Sequence, residues 1–310
     1  MKYLIGTRGS QLSLAQTRWV IERLKQANPD CEYEIVTITT KGDTDARPLY
    51  TINQKGIFEK EIDKAVIEKK VHFAVHSMKD VPSDLPKELV LACVPKREQA
   101  NDVLITKNGD TLESLPKGAI VGTSSLRRAV QVSRIRPDLK VKPIRGNIET
   151  RIKKTQTDYD AVILAQAGIT RVKLDVKYSI LSIDDFSPSP GQGALAIVAR
   201  ENDSDTISML KKIEDSNSRL EAEAERALSK IVDSGCRFPV GAFAKANGTQ
   251  MSLKVKAFSV DGKSSIEVEQ TGEKSDPELV GNLAGEQLQK KGVAKLALNW
   301  REKVEEWNKQ

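Results

Sequence analysis

An α/β fold followed by an α+β tail is what this sequence predicts, on three observations. Strand-like and helix-like segments alternate through the first two-thirds of the chain. Beyond about Asp215 the order changes to helix, strands, helix. At 310 residues the chain also exceeds what one hydrophobic core usually serves, so two or three domains are expected.

The elements follow in order. Tyr3 to Gly6 reads as a strand, Gln11 to Gln26 as a helix turning Leu12, Ala15, Trp19 and Leu24 to the core, and Tyr33 to Thr40 as a strand. Phe58 to Lys69 carries Phe58, Ile62, Ala65 and Val66 at helical spacing, and Phe73 to His76 is a buried strand. This is a βα pattern of parallel-sheet type. After the turn-rich Pro95 to Asn101 it restarts: strand Ala119 to Gly122, helix Ser124 to Ile135, strand Lys140 to Ile144, helix Asn147 to Lys154, strand Ala161 to Leu164 and a helical turn to Val172. Gly193 to Arg200 is a further strand, reached through Ser187-Pro188-Ser189-Pro190-Gly191, and its chain can rejoin the first unit. The tail holds helix Arg219 to Val232, strands Val240 to Lys245, Met251 to Val260 and Ser264 to Gln270, and helix Pro277 to Lys290. The expected domains are 1–96 with 193–213, then 97–192, then 214–310.

Composition excludes several classes. No apolar run approaches a membrane span, and Met1 to Gly6 enters a strand with no leader-like apolar region, so a cytoplasmic protein without membrane contact is expected. The three cysteines form no CxxC pair and have no His-rich partner segment, which supports neither a metal site nor a disulfide framework. Cys93 lies in the apolar run Leu89 to Val94, Cys31 begins the strand-like Cys31 to Thr40, and both read as packing residues. Cys236 differs. It lies in the loop Asp233 to Gly241, between a helix and a strand, next to Arg237, where a cation favours thiolate over thiol. A small hydrophobe closing a helix–strand corner would account for it equally well.

The formal charge of +6 is unevenly spread. Ten basic residues fall between Arg127 and Lys154 against Asp138 and Glu149 alone. A nucleic-acid groove is one reading, but the stretch has no aromatic residue for base stacking. A solvated helix face explains Lys153 and Lys154 but not Arg127, Arg128 and Arg145. Those three follow strand ends, where α/β sheets bind ligands. Arg127 and Arg128 occupy the first turn of a helix, where cations oppose the helix dipole unless an anion is bound among them. Arg145-Gly146-Asn147, with Arg151 one turn on, repeats the arrangement, and Thr7-Arg8-Gly9-Ser10 has it after the first strand. Converging guanidinium groups suit a polyanion. Lys79 and Asp80, in His76-Ser77-Met78-Lys79-Asp80, leave a strand end at the same edge. An ordinary salt bridge would explain them, as would stabilisation of a cationic intermediate. His72 and His76 read as structural.

The residues His76 to Asp80 (HSMKD), Gly122 to Arg128 (GTSSLRR), Arg145 to Asn147 (RGN), Gly191 to Ala194 (GQGA) and the Gly235-Cys236 loop together resemble the hydroxymethylbilane synthase, or porphobilinogen deaminase, family in order and spacing along essentially the whole chain. The resemblance implies a monomeric enzyme of tetrapyrrole biosynthesis. It would join four porphobilinogen molecules with loss of ammonia on a dipyrromethane primer and release hydroxymethylbilane by hydrolysis, keeping the primer. It implies a thioether from that cofactor to Cys236 and a catalytic role for Asp80. Lys79, Asp80, Ser125, Arg127 and Arg128 would hold the cofactor, and Arg8, Ser10, Phe58, Arg145, Arg151, Arg171 and Gln192 the substrate or growing chain. No metal and no nucleic acid are implied. The implied fold is two periplasmic-binding-protein-like, doubly wound domains around a cleft, plus a C-terminal α+β domain carrying the cysteine, with hinges near Pro95 to Asn101 and Pro188 to Gly193. Two departures stand out: Gly9 in place of a polar residue, and Asp233-Ser234 in place of a small-residue lead-in to Gly235. A catalytically silent anion-binding protein, needing the arginines but not Asp80 or Cys236, stays open on the residues alone.

Overall fold

The computed structural model describes residues 1–40, 59–232 and 238–296, with Leu298, Glu302 and Glu305. Phe58 and Cys236 lie outside the described residues. The chain divides into two compact units, Met1–Glu98 with Gly193–Ala222, and Gln99–Gln192 with Glu223–Gln310.

The first unit is built on a five-stranded sheet of β1 (Lys2–Thr7), β2 (Glu32–Thr37), β3 (Phe73–Ser77), β4 (Leu89–Cys93) and β10 (Leu195–Arg200), in the order β2-β1-β3-β10-β4. Alternation of side chains along each strand splits its apolar residues between two faces. Tyr3, Ile5, Phe73, Val75 and Ile197 face one cluster with Val20 and Leu24 of helix α1 (Gln11–Ala27) and Leu210 of α6 (Ser204–Lys211). Ala74 and Val198 face the other with Ile62 and Val66 of α2 (Lys60–Ile67). Both faces are therefore covered, as a doubly wound sheet requires.

The second unit repeats the plan. Its sheet comprises β5 (Asp102–Thr106), β6 (Ile120–Gly122), β7 (Lys140–Lys142), β8 (Ala161–Ala165) and β9 (Ser179–Leu181), in the order β7-β6-β8-β5-β9. Helices α3 (Leu126–Ile135), α4 (Ile148–Lys153) and α5 (Gln166–Val172) accompany it. Leu104, Val121 and Ile163 share one apolar cluster, and Val103, Ile105 and Val162 another. In each five-stranded sheet four strands run the same way and one, fourth in the spatial order, runs against its neighbours: β10 against β3 and β4, and β5 against β8 and β9. That reversed strand is the first after the chain enters the unit, and the strand beyond it is the last before the chain leaves.

The expected parallel pattern thus needs a correction, because the sheets are mixed. Strands β4, β5 and β9 and helix α6 had no element assigned from the sequence. Each is short, and β5 is an apolar run flanked by turn residues, which periodicity alone does not classify.

A third sheet, also in the second unit, is antiparallel: β11 (Val240–Asn247), β12 (Gln250–Phe258) and β13 (Ser265–Glu273). One face buries Ala242, Leu253, Val255 and Val268, while the other carries the Lys256–Glu267 ion pair at 2.6 Å. Helix α7 (Ser216–Val232) passes from the first unit to the second, and α8 (Pro277–Lys290) and the short α9 (Val293–Leu296) follow the sheet. Asp276 caps α8 by accepting from the Leu279 N–H at 3.1 Å, with Pro277 at its first position. Helices α7 and α8 approach so closely that a Cβ on Gly281 would stand 2.3 Å from the Ala224 carbonyl oxygen. Gly281→Leu should therefore destabilise the fold by about 3 kcal/mol, the upper range for overpacking. The midpoint of denaturant unfolding reads this, and an unchanged midpoint would contradict the contact.

Candidate functional site

In the first unit, β1 and β3 are adjacent and parallel, so Thr7-Arg8-Gly9-Ser10 and Met78–Asp80 leave the sheet at one edge. Ser10 is the N-cap of α1. Its Oγ accepts from the Ser13 N–H at 3.2 Å and donates to Ser13 Oγ at 2.8 Å. Gln16, buried on α1, donates to Ser77 Oγ at 2.9 Å and so pins the end of β3. Beyond it the chain makes one 3-10 turn. The Met78 side chain is buried among Val81, Val94, Ala194 and Ala196, and its N–H donates to the Ala194 carbonyl at 3.0 Å. With Met78 as the anchor, Lys79 and Asp80 are exposed, and Arg8 is half-buried. His72 Nδ1 accepts from the Leu4 N–H at 2.9 Å, and buried His76 pairs with Asp63 at 3.0 Å, which are structural roles.

In the second unit the arginines at the start of α3 meet a residue that the sequence reading did not single out. Asp102, the first residue of β5, is fully buried. Its Oδ2 accepts from Arg127 Nη2 at 2.8 Å, and its Oδ1 from Arg128 Nη2 at 2.8 Å and Nε at 3.1 Å. The remaining bonds fix both planar groups from other sides. Arg127 Nη1 donates to the Ser187 carbonyl, and Arg128 Nη1 to the Ile163 carbonyl at 3.1 Å. Gln192 is fully buried and donates from Nε2 to Asp102 Oδ1 at 2.8 Å and to the Ala100 carbonyl at 2.7 Å. Gln131 exchanges two bonds with the Ser187 backbone, accepting its N–H at 2.7 Å and donating to its carbonyl at 3.1 Å.

This changes the reading of Arg127 and Arg128. Their position at a helix N-terminus called for an anion, and the protein supplies one. Burial pushes the Asp102 carboxyl up, but the two guanidinium groups outweigh it and hold the group at about 2, against an ordinary 3.8. Burial lowers the Arg127 guanidinium, and Asp102 opposes that. Two cations share one carboxylate, so the triad keeps a positive excess. Because the folded-state value of Asp102 lies below its unfolded one, its stabilisation is present above about pH 4 and is lost as pH falls toward about 2. The loss is on the order of 2 kcal/mol. Wild-type protein should melt at progressively lower temperature across that window. Asp102→Asn, less stable throughout, should show a shallower fall, and parallel curves would refute the assignment.

Ser125, the N-cap residue of α3, is half-buried, and its own N–H donates to Thr123 Oγ1 at 3.2 Å. Arg145 is exposed after β7, Arg151 is half-buried on α4, and Arg171 is buried on α5. Arg151 Nε donates to the Gly146 carbonyl at 2.8 Å. Burial, then repulsion from Arg128 and Arg145, lowers the Arg151 guanidinium to about 10. An ion pair would raise it. Arg128 and Arg145 thus both bear on Arg151, a concentration of cations that suits a ligand bearing several carboxylates. The residues present therefore fit dipyrromethane, whose rings carry acetate and propionate groups. No group of three or more His, Cys, Asp or Glu suited to a metal ion occurs among the described residues.

The segment from Ser187 to Gln192 joins this cluster to the third sheet. Gly191 N–H donates to Glu225 Oε2 at 2.5 Å, and the Ala244 N–H to Glu225 Oε1 at 2.8 Å. Ala242 N–H donates to the Pro188 carbonyl at 2.9 Å, and a Cβ on Gly241 would lie 2.3 Å from Ser187 Cβ. Glu225 is fully buried on α7, two to three turns before the Cys236 loop. The sequence reading missed Asp102, Gln131 and Glu225. The available signal was a polar residue at a position its neighbours mark as core: Asp102 opens Val103-Leu104-Ile105, Gln131 sits between Val130 and Val132, and Glu225 lies beside Ala224 and Ala227.

Of the remaining cysteines, Cys93 is fully buried and its thiol is pushed up to about 12 by burial, while Cys31 packs against the core of the first unit.

Two family models match the chain. They are "Porphobilinogen deaminase, dipyromethane cofactor binding domain" over residues 3–208 and "Porphobilinogen deaminase, C-terminal domain" over residues 219–290. The probable porphobilinogen deaminase of Nitrosopumilus maritimus is 70% identical over 310 residues, 100% of each chain. The porphobilinogen deaminase of an Exiguobacterium species is 45% identical over 296 residues, 94% of this chain and 96% of that protein. A probable porphobilinogen deaminase of Hyperthermus butylicus is 41% identical over 294 residues, 94% of this chain and 97% of its own.

Proposed function

The chain belongs to the porphobilinogen deaminase family, and from that premise we propose how its residues divide the work. The family membership makes it a transferase-type enzyme with a dipyrromethane cofactor and porphobilinogen as substrate. When bound, dipyrromethane supplies the pyrrole end onto which substrate units are added. Cys236 is the residue we assign to its thioether.

The remaining roles belong to this chain's own groups. Lys79 and Ser125, with Arg127 and Arg128, hold acetate and propionate groups of the cofactor. Arg8, Ser10, Arg145, Arg151 and Arg171 bind the carboxylates of incoming substrate and the lengthening chain, each unit of which adds two. Phe58 packs near the rings. Asp80 supports loss of the substrate amino group as ammonia and offsets positive charge on the pyrrole as each bond forms. A carboxylate on an exposed turn anchored by buried Met78 suits that task, because its backbone is fixed while its side chain is exposed just beyond the end of β3. Gln192 acts from within, since its amide bonds to Asp102 and Ala100.

One observation carries the reading: the half-buried Arg151 guanidinium, lowered first by burial and then by Arg128 and Arg145, lies in a concentration of cations that suits a ligand with several carboxylates. No helix among the described residues is long and apolar enough to cross a membrane. We propose a monomer working in the cytoplasm.

The test is to add porphobilinogen to purified protein and follow intact mass, ammonia and product together. The reading expects a resting mass two pyrrole units above that of the chain, transient species heavier by one to three further units, and return to the resting mass. Unmodified protein that consumes no porphobilinogen would overturn it.

A further inference from the structure

Asp102 and Gln192 bond to each other at the start of β5. The two segments by which the chain passes between its compact units meet there. On one side of the unit boundary the Glu98 N–H donates to the Gly193 carbonyl at 3.2 Å, and on the other Gln192 Nε2 reaches the Ala100 carbonyl at 2.7 Å. The same Gln192 nitrogen donates to Asp102 Oδ1, two residues beyond Ala100, and Arg128 Nη2 donates to Gln192 Oε1 at 3.4 Å. Asn101 Nδ2 donates to the Leu181 carbonyl at 2.9 Å and holds the start of β5 against the end of β9. Every polar atom of the Asp102 carboxylate is thus bonded to a group whose position depends on the fold around these two segments.

We infer that Asp102 is a positioning residue for the reaction: it presets the orientation of Arg127 and Arg128 toward the carboxylates of the pyrrole chain, and Gln192 registers that ion triad against both connecting segments. The inference rests on the functional reading above. Its physical reason is geometric. A guanidinium is a planar fork, and it recognises a carboxylate best when its plane is already set. Here each plane is held by Asp102 on one edge and a backbone carbonyl on another, Ser187 for Arg127 and Ile163 for Arg128. Among the described residues these bonds occupy two of the five N–H groups of Arg127.

An opposite role is available to the same carboxylate. Asp102 could compete with ligand carboxylates for the arginines and weaken their binding. The two roles differ in sign, which makes them separable. If Asp102 positions, Asp102→Asn weakens anion binding although the site gains positive charge; if it competes, the substitution strengthens binding. The complete burial of Asp102 and its bonds to both arginines favour positioning.

The experiment uses full-length holoenzyme. Asp102→Asn should show a lower fraction of molecules carrying the cofactor by intact mass. The loaded fraction should show a rise of about tenfold in KM for porphobilinogen, the scale of one misplaced charge-assisted hydrogen bond. Asp102→Glu should recover part of that loss. A purely structural Asp102 would reduce the amount of active protein without moving KM, and full loading with an unchanged or lowered KM overturns the proposal. Should Asp102→Asn not fold, Gln192→Met keeps the ion pairs and removes the tie. It should raise KM several-fold with the cofactor retained, and an unchanged KM overturns the proposal on its own. Wild-type protein with no adduct and no turnover would instead sink the functional reading, whatever the variants do.

Discussion

Cys236→Ala should yield a folded protein with no pyrrole adduct and with turnover reduced more than a thousandfold. The expectation rests on the thioether proposed for Cys236, and the other two thiols are poor candidates for it. Cys93 is fully buried, and burial lifts its thiol to about 12, so almost no thiolate exists there at neutral pH. Cys31 is committed to packing at the start of β2. Cys236 has Arg237 as its sequence neighbour, and a cation beside a thiol favours the nucleophilic form. Without a tether the two-ring primer would be lost between turnovers, and holding it in place substitutes for the large entropic cost of bringing reactants together. Intact mass reads the adduct, and consumption of porphobilinogen reads the rate. An adduct that persists in Cys236→Ala would move the attachment to another residue, and an unmodified variant of normal activity would remove the need for one. Because the thioether should survive each cycle, the reactivity of Cys236 matters for maturation and its position for turnover.

Asp80→Asn should fold, keep the cofactor and lose most of its rate. The side chain is exposed on the turn anchored by Met78, so its removal leaves no buried group unpaired and little stability is at stake. The change is in charge alone. A carboxylate about 4 Å from a cationic centre contributes about 4 kcal/mol at an effective dielectric near 20. If it acts only on the transition state, that is roughly a thousandfold in rate. Before ligand binds, Asp80 faces water and the same charge does little; a bound pyrrole chain would displace that water and raise the effect. The diagnostic pattern is a fall in kcat with normal cofactor mass and a normal melting temperature. Wild-type kcat from purified Asp80→Asn would refute the charge role.

Paired with the Asp102 experiment, these variants sort three kinds of dependence: attachment, chemistry and orientation. Cys236→Ala removes the adduct, Asp80→Asn keeps it and slows turnover, and Asp102→Asn shifts KM and loading.

The parts legible from the sequence were those that short-range patterns encode. Apolar spacing along Gln11–Ala27 and Pro277–Lys290 specified helices because an amphipathic stripe repeats within one turn. Strands β1, β3 and β8 were legible because each is a short apolar run next to turn residues. The motif residues were legible because they cluster at strand ends, where ligands bind. Strand β5 is the same kind of run, but it opens on charged Asp102 directly after the turn-rich Pro95 to Asn101 and was passed over. Its loss concealed Asp102 and left Arg127 and Arg128 looking uncompensated.

By itself, then, the sequence determined the α/β-then-α+β order, the cationic strand ends, the Lys79-Asp80 turn and the loop cysteine, since each is a property of neighbours along the chain. Only the tertiary structure decided where the charges go. Asp102 meets Arg127 from 25 residues away and Gln192 from 90. Those meetings exist because β5 enters its sheet against β8 and β9 immediately after the chain crosses between units. Ion pairing depends on distance in space, and strand order sets that distance; no local pattern of apolar and polar residues records it.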